Sequence, residues 1–338
     1  MAESVNIAVD AMGGDNAPAE TVKGAVEAIG KTRDMKIFLV GKEDAVRAEL
    51  SKYTYDPDRI EVAHASEVIE MAEPPVMAVR TKKDSSLVRC MYMVKEGKCD
   101  ALVTAGSTGA FLVGGQIIVG RIKGVERPPL APFIPTIDGR CLLLDCGANV
   151  DARPSQLVQF AKIGSAYVKK ACGIARPRVG IVNIGAEEEK GNALVKEAFP
   201  LLKATPEINF IGSVEARDIP YGAADVVVCE AFVGNVILKM YEGVGKTLLK
   251  AMKEAFMSST RSKIGAALAK PALKETLKKF DTDQYGGAPL LGCNGLLVKT
   301  HGSSKSVSIC NSILQCKLFA DQNINDDIKE MFAISTDI

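Results

Sequence analysis

The chain has 338 residues, 47% of them apolar, enough for one large domain or two ordinary ones with a sizeable core. Charges nearly cancel to +1 at pH 7, there is no tryptophan, and aromatic residues are only 5%. That balance argues against a general nucleic-acid binder and against a base-stacking platform.

In chain order, the predicted strands are 5–11, 36–41, 59–65, 100–106, 130–136, 141–147, 178–185, 208–213 and 225–231. Several are apolar throughout, as strands covered on both faces are. Helical segments lie between them at 18–31, 86–97, 107–121, 154–172 and 191–203. This alternation predicts a mostly parallel sheet with helices on both sides, a three-layer α/β/α sandwich. No internal repeat or low-complexity linker interrupts it. Residues 1–338 therefore read as a single α/β/α domain, with a helical protrusion over 246–280.

In such sheets ligands sit beyond the carboxyl ends of the strands. Glycine-rich or polar clusters follow strand after strand here: DAMGGDNAP (10–18), TAGSTGA (104–110), DCGANVDARP (145–154), NIGAEEEKGN (183–192) and CEAFVGN (229–235). None matches a phosphate-binding P-loop, a dinucleotide fingerprint or a hydrolase nucleophile elbow. Nine cysteines occur with no Cys-x-x-Cys pair, a usage that fits a reducing cytoplasm. Two histidines and no ligand spacing disfavour a structural zinc site. The N-terminus shows no signal-peptide pattern, and no apolar run is long enough to span a bilayer.

Individual residues in the clusters carry two readings each. Ser107 and Thr108 precede a helix, as an N-cap or as hydroxyls for an anion. Lys190, after three glutamates, is either part of a solvated helix start or a point charge for phosphate. Lys82 and Lys83 are a charged surface or an anion clamp. His301, in LLVKTHGSSK (296–305), is a hydrogen-bonded structural residue or part of a strand-end anion site with Ser303 and Ser304. Cys146 reads as packing and not as a nucleophile.

The stretch SKIGAALAKPALKETLKKF (262–280) differs in character. Lys263, Lys270, Lys274 and Lys278 share one helical stripe. Ile264, Leu268 and Ala272 lie on another face, as do Leu273, Leu277 and Phe280. Pro271 is expected to divide the segment into two short helices. A basic amphipathic hairpin of this kind can lie in the plane of an anionic bilayer. It can equally pack its apolar stripe on the body or on a second copy.

With these clusters in order, the chain resembles the bacterial phosphate acyltransferase (PlsX) family. The shared motifs run from VDAMGGDNAP (9–18) through VRTKKDSSL, TAGSTGA, LDCGANVD, EEEKGN and FVGNVILK to YGGAPLLGCNGLLVKTHGSSK (285–305). Departures are Ser107, where many members carry Asn, and Cys146, where a small aliphatic residue is common. The resemblance implies an isocitrate/isopropylmalate-dehydrogenase-like fold, shared with phosphotransacetylases, and a homodimer. It implies transfer of a fatty acyl group from acyl-[acyl-carrier-protein] to inorganic phosphate. The acyl phosphate would then feed a glycerol-3-phosphate acyltransferase in phospholipid synthesis. Cytoplasmic location with peripheral attachment to the inner face of the cell membrane is implied too, with contact through Ile264, Leu268, Leu273 and Leu277.

On this resemblance Lys190, Asn192, Asn235 and His301 are the expected catalytic residues. Asp10, Gly13, Gly14, Lys82, Ser107, Thr108, Asn149, Ser303 and Ser304 are expected to hold phosphate or substrate. Lys82, Lys83 and Arg89 are candidates for docking the acidic carrier protein. Phosphate is itself the nucleophile, so the chemistry needs no enzyme nucleophile, no metal and no cofactor. Three other readings stand beside it: an acyl-CoA phosphotransacetylase, a metal- and NAD-dependent dehydrogenase using Asp10, Asp15, Asp145 and Asp151, and a non-enzymatic membrane scaffold.

Overall fold

The computed structural model describes residues 4–280 and 282–333. In chain order its elements are β1 (Val5–Asp10), α1 (Ala19–Lys31), β2 (Met35–Gly41), α2 (Glu43–Leu50), β3 (Ile60–His64), α3 (Pro75–Thr81), α4 (Ser86–Lys95), β4 (Ala101–Thr104) and α5 (Thr108–Gly114). There follow β5 (Phe133–Thr136), β6 (Gly139–Leu144), α6 (Pro154–Cys172), β7 (Arg178–Asn183), α7 (Ala193–Lys203), β8 (Asn209–Glu215), β9 (Val226–Val228), α8 (Ala231–Met257) and α9 (Thr260–Lys278). The chain closes with β10 (Ala288–Pro289), β11 (Leu296–Lys299), α10 (Ser306–Asp321) and α11 (Ile324–Ala333).

Contacts gather into two compact units: Met1–Pro132 with Ala166–Ala175 and Asp283–Ile338, and Phe133–Ser165 with Arg176–Thr282. Each unit has its own sheet, where the alternation along 1–338 reads as one. The sequence does not betray the division because the chain passes from one unit to the next at β5 with no polar or flexible linker.

The first unit holds a six-stranded sheet in the order β10-β11-β4-β1-β2-β3. All neighbours are parallel except the short antiparallel pair β10 and β11. Strands β1, β2 and β3 step outward in one direction, and β4 then returns to the far side of β1. Right-handed crossovers place α1 and α4 on opposite faces of such a sheet. Both faces of β1 are thereby covered, so Ile7, Ala8 and Val9 are all fully buried. In α1, Val22, Ala25, Ala28 and Ile29 recur at helical spacing and form its buried stripe.

The second unit holds a five-stranded sheet, β5-β6-β9-β7-β8, parallel apart from β5. Its core gathers Ile134, Cys141, Leu143, Cys146, Val214, Ile219 and Val227. Strands β6, β9 and β7 are neighbours, so the clusters that follow them leave from one edge of the sheet.

From the second unit comes the helical pair α8 and α9. Among its described residues α8 buries only Ala231 and Gly234, and α9 buries none. The protrusion thus begins before residue 246. Pro271 does not divide α9, which runs unbroken from Thr260 to Lys278. Ser259 caps its start by accepting from Ser262 N at 3.1 Å, and good helix formers flank the proline on both sides. The missing N–H removes one hydrogen bond without ending the helix. Residues 107–121 also differ in detail: α5 passes into a single π-helical turn at Gly115–Val119.

Gly24 shows how tightly α1 and α10 are set. A Cβ there would lie 2.6 Å from Ile309 Cβ and 2.8 Å from the Ser306 carbonyl oxygen. Helix propensity alone favours Gly→Ala by about 1 kcal/mol. Here the clash dominates, and Gly24→Ala should lower stability by about 1–3 kcal/mol in urea unfolding.

Candidate active site

In the first sheet the order of strands reverses at β1 and β4, the position where open α/β sheets form ligand crevices. Asp10 ends β1, Thr104 ends β4 and Lys299 ends β11. Asp10 is 1% exposed, and burial raises its carboxyl above the usual range. One carboxylate oxygen accepts from Thr104 Oγ1 at 2.7 Å and the other from Met12 N at 3.3 Å. Thr104 Oγ1 in turn accepts from Gly106 N at 2.9 Å. One buried carboxylate therefore ties the 10–18 loop to the 104–110 loop. A Cβ at Gly13 would lie 2.4 Å from Asp10 Oδ2 and 2.7 Å from Gly106 N, so only glycine lets the loops meet. Gly14 has φ +99° and would set a Cβ 2.9 Å from the Gly302 carbonyl oxygen. Asp10 and Gly13, expected at the ligand, thus serve first to join loops.

The 300–305 loop closes on the same turn. Thr300 N donates to Thr104 O at 2.9 Å, and Asp15 N donates to Gly302 O at 2.8 Å. Asn16 Nδ2 donates to the carbonyls of Ser303 and Ser304 at 3.1 and 3.2 Å. His301 is exposed. Its Nδ1 accepts from Ser303 N at 3.2 Å and lies 2.8 Å from Ser303 Oγ. A ring nitrogen that accepts from a backbone N–H is unprotonated, so the neutral imidazole carries its hydrogen on Nε2. His301 accordingly presents a donor beyond the loop, beside the exposed Ser303 hydroxyl. Ser304 is buried. The first turn of α10 is already answered, since Ser306 N donates to Glu20 Oε2 at 2.7 Å.

Lys299 was not singled out by the sequence reading, though a charge closing an otherwise apolar strand, LLVK, was the available signal. It is 6% exposed. Its ammonium donates to the Thr300 carbonyl, and among the described residues no carboxylate comes within ion-pair distance of it. Burial lowers its pKa to about 8, partly opposed by the charges of Asp10 and Asp15.

The remaining expected residues of this unit lie apart from that arrangement or are otherwise occupied. Ser107 caps α5 by accepting from Ala110 N at 3.4 Å, while Thr108 is exposed. Lys82 Nζ donates to Glu73 Oε1 at 2.6 Å and to Val68 O at 2.7 Å. Arg89 is paired with Asp84 at 2.8 Å, and Lys83 is exposed.

The second unit repeats the device at its own strand ends. Asp145, fully buried after β6, accepts from Ala148 N at 3.2 Å and from both Asn149 N and Asn149 Nδ2 at 2.7 Å. Ala231 N donates to Asn149 O at 3.0 Å, which joins this loop to the start of α8. Glu230 caps α8 through Phe232 N and Val233 N. Asn235 sits half-buried in the first turns of α8. Asn192 caps α7 by accepting from Val195 N at 2.9 Å. Lys190 is exposed and pairs with Glu187 at 2.7 Å, a hydrogen bond that raises its pKa. Cys146 is buried, and burial holds its thiol far above the range of a usable thiolate. Among the described residues no group of three or more His, Cys, Asp or Glu could hold a metal ion.

Residues 5–327 match the family model described as "Fatty acid synthesis protein". A phosphate acyltransferase of Clostridium beijerinckii is 50% identical over 330 residues, covering 97% of this chain and 99% of the relative. One from Alkaliphilus oremlandii is 50% identical over 326 residues, covering 96% and 97%. Among solved structures, a phosphotransacetylase from Streptococcus pyogenes aligns with TM-score 0.61 at 18% identity, covering 94% of each chain. One from Staphylococcus aureus aligns with TM-score 0.60 at 18% identity and the same coverage. At that identity the structures share the fold alone. With a family model and half-identical relatives along nearly its whole length, the chain belongs to the phosphate acyltransferase family, a family of fatty acid synthesis proteins.

Proposed function

We propose that this chain transfers a fatty acyl group from acyl-[acyl-carrier-protein] to inorganic phosphate, releasing free carrier protein and acyl phosphate. The observation that carries the reading is the 300–305 loop at the switch point. It offers an imidazole Nε2–H beside Ser303, whose hydroxyl lies 2.8 Å from the ring Nδ1. A phosphate oxygen attacks the thioester carbonyl, the oxyanion collapses, the C–S bond breaks, and the thiolate takes up a proton. The protein must then position a dianion and stabilise an oxyanion, which is work for fixed donors. His301 Nε2–H is the donor assigned to the oxyanion. Ser303 and Ser304 are assigned to phosphate, together with Thr108. Lys190, Asn192, Asn149 and Asn235 keep the assignment the resemblance gives them. Lys190 is paired with Glu187 at the surface of the second unit, and an exposed pair of this kind is readily exchanged for another anion.

The rest of the reading is supported more distantly. No helix among the described residues is long and apolar enough to cross a membrane. Yet Ile264 and Leu268 of α9 are 59% and 80% exposed, and lysines alternate with them. Leu273 is half-buried and Leu277 partly exposed. This pattern supports contact with an anionic membrane surface, where acyl phosphate would pass to a glycerol-3-phosphate acyltransferase. Along α8, Phe232, Val236, Met240, Val244 and Leu248 recur at every fourth residue and are all exposed, which supports a homodimer. Of the three cations considered for carrier-protein docking, Lys83 alone has no carboxylate partner to displace among the described residues.

The test is thiol release from acyl-[acyl-carrier-protein], with and without inorganic phosphate, and trapping of the product by hydroxylamine. Phosphate-dependent release with matching hydroxamate is the expected result; release only from acyl-CoA would favour a phosphotransacetylase. His301→Ala should lower kcat about 100-fold with little change in phosphate KM, as loss of an oxyanion donor does. Replacing Leu268 and Leu277 together with Glu should abolish binding to anionic liposomes and leave turnover in solution intact.

A further inference from the structure

Lys299 presents an imbalance between its charge and its partners. A lysine is almost never buried without a partner, because removing an ammonium from water is severely unfavourable. This one has three N–H donors and a single acceptor, the Thr300 carbonyl of the adjoining residue. Asp10 and Asp15 are the titratable groups whose charges reach it. Asp10 is already tied to Thr104 and Met12, and Asp15 is exposed. Its place is specific as well. Lys299 ends β11, pairs in register with Thr104 at the end of β4, and directly precedes the loop bearing His301, Ser303 and Ser304.

We propose that Lys299 is the buried cation that a phosphate dianion completes, and that phosphate binding and protonation of Lys299 are one coupled event. This rests on the acyltransferase reading and adds the group that neutralises its nucleophile before attack. In the free protein the ammonium loses its proton as the pH rises through about 8. A dianion beside it favours the charged form and moves that loss to higher pH. Above about pH 8, then, phosphate, the lysine amine and one proton from solvent combine into an ammonium–phosphate pair. Inorganic phosphate is already a dianion on the alkaline side of neutrality, so its own ionisation does not supply this proton uptake. His301, two residues on, lies in the exposed loop and is held by Ser303.

The experiment is calorimetric titration of the full chain with inorganic phosphate at pH 7 and pH 9, in two buffers of different ionisation enthalpy. The natural protein should take up most of one proton per phosphate at pH 9; at pH 7, where Lys299 is already charged and part of the phosphate is monoanion, it should release protons instead. Lys299→Arg, which keeps its charge throughout, should bind phosphate at both pH values with no proton uptake at pH 9. Lys299→Met should bind at least about 10-fold more weakly at pH 7, with the KM for the acyl donor unchanged. Exchanging an unpaired buried charge for an apolar chain of similar volume is compatible with folding, and the Arg variant provides a second route if it is not. Unchanged phosphate affinity in Lys299→Met, or proton uptake that persists in both variants, overturns the proposal. Phosphate binding with the expected uptake but no acyl transfer would support Lys299 and overturn the proposed reaction. Absence of phosphate binding would overturn both.

Discussion

The first unit depends on keeping one buried carboxylate satisfied. Asp10 stands at the end of an apolar strand with no water to solvate it, so every polar group it needs must come from the chain. Thr104 and the Met12 amide supply them, and through Thr104 the Gly106 amide is drawn in as well. The geometry that satisfies Asp10 brings two loops into contact, and that contact excludes a Cβ at Gly13. The 300–305 loop then docks onto the result through Asp15, Asn16 and Thr300. His301 and Ser303 owe their presentation to a residue that touches neither of them.

Asp145 does the same work in the second unit. It also follows an apolar strand, is fully buried, and folds the next loop back onto itself through Ala148 and Asn149. Its backbone carbonyl sets the distance to α8: a Cβ at Gly234 would lie 1.9 Å from Asp145 O. No rotamer change relieves a clash with backbone, so the start of α8, and with it Asn235, is fixed by the absence of a side chain at Gly234. Two sheets thus use one solution, an aspartate at a strand end whose desolvation is offset by the loops it shapes.

Much of this was legible before any coordinates. VNIAVD and CLLLD read as apolar strands ending in an acid, and the glycines after them mark chain that must approach something closely. What could not be read was the destination of each polar group. Asp10, expected at the ligand, also ties two loops together, which no local spacing announces because its partner Thr104 is ninety-four residues away. Lys82 was left between surface and clamp; Glu73 and the Val68 carbonyl occupy it across a turn that periodicity does not describe. The division into two sheets escaped because β5 follows the first unit without a change of composition. Pro271 shows the opposite: in a long helix the capping and flanking residues outweigh the one hydrogen bond that proline removes.

The distinction between paired and unpaired cations bears on how a dianion could be held. Lys190 and Lys82 already have carboxylates, and phosphate can win either only by displacing a partner of like sign. An exposed pair of this kind is screened and worth little, so it is readily exchanged and gives little net gain. Among the described residues Lys299 has no carboxylate to displace, and it is almost wholly buried. The same interaction energy that solvent would dissipate at the surface is retained there. A site that must hold a dianion firmly enough to orient it for attack is served by such a cation, whereas a lysine with its own carboxylate has most of that attraction already spent.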